Sequence, residues 1–320
     1  MAETFDVCVT GAGGYIGSRV VVELLEAGHD VTAVDSFRSA QVDEIRGVSV
    51  EKTDVRDRDE VRDAVGDADA VMHLAAVSGV QDCDENPEEA FDINVGGTEN
   101  VAWVCRERET PLVFPCSMAI IGDPVEFPIT SDHPRNPLNQ YGLTKKMSED
   151  DVHALAEGEF RAHVYMKSNL YGGHEVGDTR VSKGTVINIF VDKALNEEPL
   201  TVHKPGTQAR DFVHVKDVAR AYLRSLDHLM DMEGDSETGA QTLPIASGEC
   251  MSILGLAETV QEVVEGERGY TVEIEMVENP RGDESAADDF TVDTGEASES
   301  IGFEAENSVE ETVREIVRRS

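Results

Sequence analysis

The feature that leaves this chain the least freedom is a glycine-rich turn set between an apolar run and an amphipathic one. Phe5-Asp6-Val7-Cys8-Val9-Thr10 has the composition of a buried strand and leads into Gly11-Ala12-Gly13-Gly14-Tyr15-Ile16-Gly17. Residues 18–27 then repeat apolar side chains at helical spacing and stop at Gly28. In that order the glycines have separate tasks. Gly11 permits the tight turn, Gly13 and Gly14 let backbone approach a pyrophosphate beside Tyr15 and Ile16, and Gly17 lets helix and sheet pack while the helix N-terminus faces the anion. A second strand, residues 30–34, ends at Asp35, where a carboxylate accepts hydrogen bonds from the adenosine ribose hydroxyls. That carboxylate repels a 2′-phosphate, so NAD is expected over NADP. Ser36 and Arg38 complete this side of the cofactor site, and the charge of Arg38 weakens the exclusion.

The alternation continues. Residues 48–53, 70–74 and 112–114 read as strands, and 57–65 and 87–108 as helices. Such units joined by short connections imply a parallel sheet covered on both faces. The fold class is α/β, a Rossmann-type doubly wound parallel sheet, whose ligands gather at the carboxyl ends of the strands. His73, at one such end, reads as a satisfied core histidine.

Tyr141-Gly142-Leu143-Thr144-Lys145 puts a phenol and an ammonium one helical turn apart, with Ser117 upstream at the end of an apolar run. Residues i and i+4 of a helix share a face, with Cβ atoms about 5–6 Å apart. A phenol of pKa about 10 is almost fully protonated at neutral pH, and a fixed cation makes its phenolate accessible. The spacing therefore predicts that Tyr141 is a base activated by Lys145.

Size and charge bound the partners. At 320 residues the chain buries a substantial core. Its five cysteines, Cys8, Cys83, Cys105, Cys116 and Cys250, are scattered without a Cys-x-x-Cys pair, so reduced thiols and no metal are expected. No basic leader opens the chain and no run approaches the roughly 18 apolar residues of a membrane span, which predicts a cytoplasmic protein. The net charge is -38, with 65 acidic residues against 27 basic ones spread through every segment. Such a shell repels nucleic acid and anionic membrane, so neither is expected as a partner. It is similar to the surfaces of proteins from salt-accumulating halophiles, in which ionic strength screens self-repulsion, and a haloarchaeal source is expected.

Further motifs come in order: Asp54-Val55 after the third strand, His73-Leu74-Ala75-Ala76, Asn94-Val95-Gly96-Gly97-Thr98, Asn169-Leu170-Tyr171-Gly172, Arg210-Asp211-Phe212-Val213-His214 and Ser247-Gly248-Glu249. With the glycine turn, Ser117 and the Tyr141/Lys145 pair, they make nearly the whole chain resemble the extended short-chain dehydrogenase/reductase family, in its nucleotide-sugar epimerase and dehydratase branch. The resemblance implies that Asp54 and Val55 hold the adenine and that Leu74, Ala75 and Ala76 let NAD lie against backbone. It implies that Asn94 helps to organise the central site. Ser117, Tyr141 and Lys145 become the catalytic group: the Tyr phenolate removes a proton from a sugar hydroxyl as hydride passes to nicotinamide, Ser117 orients that oxygen, and Lys145 also holds the nicotinamide ribose. On the substrate side it implies Asn169 and Arg210 at the diphosphate, for which a guanidinium fork is suited. Val202 and His203 fall near the base, Arg281 and Asp283 near the nucleotide, and Ser78 near the sugar.

The residues after Ser117 narrow the reaction. Family dehydratases and decarboxylases have an acid soon after this position, whereas here the run is Met118-Ala119-Ile120-Ile121-Gly122, with Asp123 the first acid. Elimination is disfavoured. NAD-dependent epimerisation of a nucleotide-sugar remains, most simply at C4 of a UDP-hexose through a transient keto-sugar. The alternatives are an NAD(P)-dependent sugar dehydrogenase oxidising a free aldose or uronate, a nucleotide-sugar dehydratase, and a non-catalytic NAD-binding protein. The chain departs from the family at Ile121, where an aromatic is usual, at Ser78, where many sugar epimerases have Lys, and at Met166, where an Arg is common and Lys167 is adjacent. Relatives also imply a homodimer and a smaller, discontinuous C-terminal α/β substrate lobe. The expected division is 1–169 with 210–248 for the NAD-binding domain and 170–209 with 249–320 for the lobe.

Overall fold

In the computed structural model, which describes residues 3–231, 238–279, 285 and 287–319, seven strands form one sheet. They are β1 (Asp6–Thr10), β2 (Asp30–Asp35), β3 (Glu51–Lys52), β4 (Ala70–His73), β5 (Leu112–Pro115), β6 (Arg161–Lys167) and β7 (Gly239–Ile245). Their spatial order is β7-β6-β5-β4-β1-β2-β3, and every pairing is parallel. The chain winds outward in both directions from β1, so a crevice opens at the carboxyl ends of β1 and β4, where the connections part.

Helices cover both faces: α1 (Gly17–Ala27), α2 (Arg58–Val65), α3 (Thr98–Arg108), α4 (Gln140–Ala156) and α5 (Val215–Asp231). Strand alternation splits the apolar side chains between two cores. Val7 and Val9 of β1 pack with Val20 of α1 and Tyr222 of α5, while Cys8 between them packs with Val61 of α2 and Val101 of α3. Helix ends reflect local chemistry. Gly28 closes α1 in the left-handed region at φ 93, and Asn139 caps α4 by accepting from Gly142 N.

Two expected elements are interrupted. The helix expected over 87–108 is a short helix, Pro87–Phe91, then a π-helical turn, Asp92–Gly97, and only then α3. The wider turn coincides with ties from Asn94 to its neighbours: its carbonyl accepts from Ser148 Oγ at 2.7 Å and its side-chain amide donates to Thr144 Oγ1 at 3.0 Å. The strand expected over 48–53 is also divided. Val48–Ser49 turns back on Glu44–Ile45, and only Glu51–Lys52 joins β2.

Beyond β6 the chain builds a third core from Tyr171, Leu200, Val202, Phe212 and the helices Val186–Leu195, Ile253–Arg268 and Val309–Arg319. Part of residues 249–320, expected to lie in the substrate lobe, packs elsewhere. Phe290, Val292, Ala297, Ile301 and Phe303 belong to the two cores of the sheet, and the helix Gly295–Ile301 packs on α5 and β7. Apolar side chains at those positions return the chain to the sheet before its last helix rejoins the lobe. No helix among the described residues is long and apolar enough to cross a membrane.

Candidate active site

A cavity of about 700 Å³ opens at the carboxyl ends of β1 and β4 and extends past β5 to β6. The glycine turn forms one end. Gly11 has φ +68, and a Cβ there would stand 2.6 Å from Ala75 N. A Cβ on Gly17 would stand 2.1 Å from Gly11 O, and one on Gly13 would stand 2.7 Å from both Ala40 Cβ and Val42 O. Bare backbone thus lines this end, with Gly14, Tyr15, Ile16, Leu74, Ala75 and Ala76 beside it, which is the fit that a dinucleotide pyrophosphate requires.

Asp35 closes the next part of the wall. Its Oδ2 accepts from Gly13 N at 3.1 Å and its Oδ1 from Phe37 N at 2.8 Å. Burial raises its pKa while the backbone N–H groups of Phe37, Gly13 and Ser36 pull it down. Arg38 is turned onto Glu89, Nη2 to Oε2 at 2.8 Å. Its positive charge, expected to soften the exclusion of a 2′-phosphate, is engaged by a carboxylate. Asp54 and Val55 line the cavity near Ser36, and the Arg56 guanidinium holds the Asp54 carboxyl below its ordinary range.

Asn94 and His73 serve the wall from behind. Asn94 is fully buried, accepts from Val77 N at 2.8 Å, and donates to Val77 O and Thr144 Oγ1, each at 3.0 Å. Both amide hydrogens are spent, so it clamps the loop after β4 to α4 and is not in the cavity wall as a cofactor contact. His73 lies between Thr10 Oγ1 at 2.7 Å and Thr98 Oγ1 at 3.1 Å, and burial pushes its pKa down to about 3. It is a neutral core histidine, as its strand position suggested.

Ser117, Tyr141 and Lys145 come together beyond β5. Ser117 starts a short 3-10 turn, Met118–Ile120, and its Oγ accepts from Ala119 N at 3.2 Å. Tyr141 is half-buried in the first turn of α4. Lys145, four residues on, is 3% exposed, donates to Pro115 O at 3.1 Å and sits 4.8 Å from the Phe114 ring centre. The electrostatics differ from the expectation drawn from spacing. Burial pushes the Tyr141 phenol up to about 12, and a hydrogen bond with Ser117 pulls it back. Burial also takes Lys145 down to about 8. Desolvation dominates at both groups, and the Lys145 ammonium is directed to the Pro115 carbonyl and the Phe114 face.

The substrate residues divide. Asn169, exposed at the strand Asn169–Tyr171, lines the cavity and donates to Asp211 O at 3.4 Å. Ser78 lines it too and accepts from Lys183, Nζ to Oγ at 2.5 Å and to the Ser78 carbonyl at 2.8 Å. Lys183 was not singled out in the sequence, yet the fold brings its ammonium to Ser78 at the cavity wall. Lys167, at the end of β6, also lines the cavity. Val202, His203 and Arg210 are outside that wall. Val202 is a core residue of the lobe, correcting its assignment to a base contact, and the His203 carbonyl accepts from Gln208 Nε2 at 3.1 Å. Arg210 donates to Ala209 O and Ser285 O, each at 2.6 Å, and lies 5.4 Å from the Phe290 ring centre. Arg281 and Asp283 lie outside the described residues.

A glycine turn after the first of seven parallel strands, joined in one cavity to a Ser, Tyr and Lys, defines a dinucleotide-dependent enzyme of Rossmann type. The comparisons give the family. Residues 7–236 match the model of the NAD dependent epimerase/dehydratase family, and the chain belongs to that family. It is 31% identical over 318 residues to a Methanocaldococcus jannaschii protein provisionally named a UDP-glucose 4-epimerase, covering 97% of each chain. It is 28% identical to the UDP-glucose 4-epimerase of Bacillus subtilis, covering 95% of this chain and 94% of the relative. Among solved structures, MoeE5 in complex with UDP-glucuronic acid and NAD superposes with a TM-score of 0.79 at 27% identity, covering 98% of this chain and 99% of that one.

Proposed function

We propose that this protein epimerises a nucleotide-sugar, a UDP-hexose at C4, using NAD, and that Ser117, Tyr141 and Lys145 carry the chemistry. The observation that supports this most strongly is the sharing of one cavity by those three residues and the glycine turn. Bound at that turn, NAD supplies the hydride acceptor and donor and, when oxidised, one further positive charge. Tyr141 Oη takes the proton of the C4 hydroxyl, Ser117 Oγ orients that oxygen, and Lys145 holds positive charge close to both. Protonation of the opposite face product needs the same phenol, so the sugar must turn while its nucleotide stays held. We assign that grip to Asn169, which lines the cavity.

The family relatives support the reaction, and the run without an acid after Ser117 separates it from elimination. The test is incubation with UDP-glucose, UDP-galactose and free aldoses, following both sugars and NADH absorbance. Interconversion of the UDP-sugars without net NADH is expected. Stoichiometric reduction of added NAD by a free sugar would replace this reading with that of a dehydrogenase.

We further infer a homodimer, a cytoplasmic setting and a salt-rich interior. Leu143 and Met147, one turn apart on α4, are each 37% exposed and suit a helix-to-helix contact. All five cysteines are free, as in a reducing compartment. The charge of -38 supports the halophilic origin.

A further inference from the structure

The wall of the cavity carries six Lys or Arg against four Asp or Glu, in a chain with 27 basic and 65 acidic residues. The charge balance of the chain is thus reversed at this wall. Arg38 and Arg56 are already paired with Glu89 and Asp54. Two lysines near the reacting end are not explained by the chemistry above. Lys183 is held by the hydroxyl and carbonyl of Ser78, both neutral, with the charge of Asp82 nearby. Lys167 is 8% exposed, and among the described residues no hydrogen bond or ion pair reaches its Nζ.

An ammonium that lines a cavity without a protein partner is satisfied there by water or by an anion. At Lys167 burial, and after it the like charges of Lys145 and Lys183, disfavour the charged form and bring it down to about 7, so the three lysines conflict while no anion is among them. An anion among the three removes the conflict. Its place on the substrate is set by its neighbours. Lys167 ends β6 next to β5, whose continuation carries Ser117, so the group that meets it belongs to the end of the substrate on which Ser117 and Tyr141 act. That end is the sugar ring. A hexose becomes anionic there most simply as a uronic acid, with a carboxylate at C6.

We propose that Lys167, with Lys183 beside it, receives a carboxylate carried by the sugar, and that the site takes nucleotide-linked uronic acids in preference to neutral hexoses. This rests on the epimerase reading and names its substrate class. The NAD-loaded enzyme is to be compared on UDP-glucuronate and UDP-glucose, by kcat/KM for C4 epimerisation and by calorimetric Kd. The acid is expected to be preferred. Lys167→Met lowers the acid-to-neutral ratio by roughly 10–100-fold, the loss of one charge-assisted hydrogen bond, whereas Lys167→Arg keeps the charge and most of the ratio. Retained NAD and an undiminished Tm establish that each variant is folded. Equal preference in the wild type overturns the proposal. So does an equal loss on both substrates in Lys167→Met, as expected if Lys167 met the diphosphate they share. If the wild type interconverts neither sugar, the epimerase reading itself falls.

Discussion

In the proposed reaction Tyr141 is the side chain on which the chemistry turns, and burial works against it. With the phenol pushed up to about 12 and Lys145 down to about 8, kcat/KM is expected to rise with pH as phenolate forms and to level or fall once Lys145 loses its proton above about 8. A pH-rate profile checks this, and a flat profile through that range would contradict it. Tyr141→Phe is expected to lower turnover by about 10²–10⁴-fold with the bound NAD content intact, measured by initial rates and by absorbance of the extracted cofactor. Lys167 carries a stability prediction as well. Its folded pKa lies below the ordinary 10.5, at about 7. The unfolded chain therefore holds more protons between those values, and the wild type gains stability as pH rises through that window. Lys167→Met lacks the penalised charge, so its Tm should exceed that of the wild type most at pH 7 and below, with the gap closing toward pH 10. The identity of the Ser, Tyr and Lys was legible in the sequence because helical spacing and motif order report them. Their protonation was not, because desolvation depends on what covers them. Lys183 was invisible for a related reason: only the folded chain brings it across to Ser78, from 105 residues away.

Elements meet at this site through backbone with no side chain between. Gly142, inside the helix that carries Tyr141 and Lys145, approaches the turn that carries Ser117, and a Cβ there would stand 2.4 Å from Ala119 O. Gly142→Ala should push α4 away from that turn, costing about 1–3 kcal/mol as overpacking and lowering kcat more than it raises KM. Thermal melts with steady-state kinetics test it, and a variant with unchanged kcat would show that the approach does not position the catalytic group. The strands and helices themselves were readable from apolar periodicity and turn residues, including Gly28 at the end of α1. The break at 92–97 was not, because the ties of Asn94 to Val77, Thr144 and Ser148 are tertiary. The return of residues 290–303 to the sheet was hidden for the same reason, since a few apolar side chains in a polar stretch do not say which core they enter.

At the scale of the molecule, charge dominates. A net -38 destabilises the compact state by self-repulsion, and the Debye length shrinks from about 10 Å at 0.1 M salt to about 3 Å at 1 M. The Tm is expected to rise as KCl is raised from 0.1 M to 2 M. A Tm that stays level or falls would mean that ion pairs such as Arg135 with Glu149, at 2.8 Å, outweigh the repulsion. The doubly wound sheet was legible from the order of units, but the outermost position of β7 was not, because β7 comes after the first stretch of the lobe. That position bears on the order of events during synthesis. β7 pairs with β6 along all seven residues from Arg161 to Lys167, yet it leaves the ribosome only after the first stretch of the lobe and α5 have been made. Until then β6 is an uncovered edge, Ala162-His163-Val164-Tyr165-Met166, of the kind that recruits other chains. A nascent chain stalled before residue 239 is thus the form of this protein most exposed to aggregation, and the crevice that will hold the cofactor is bordered by a strand still awaiting its neighbour.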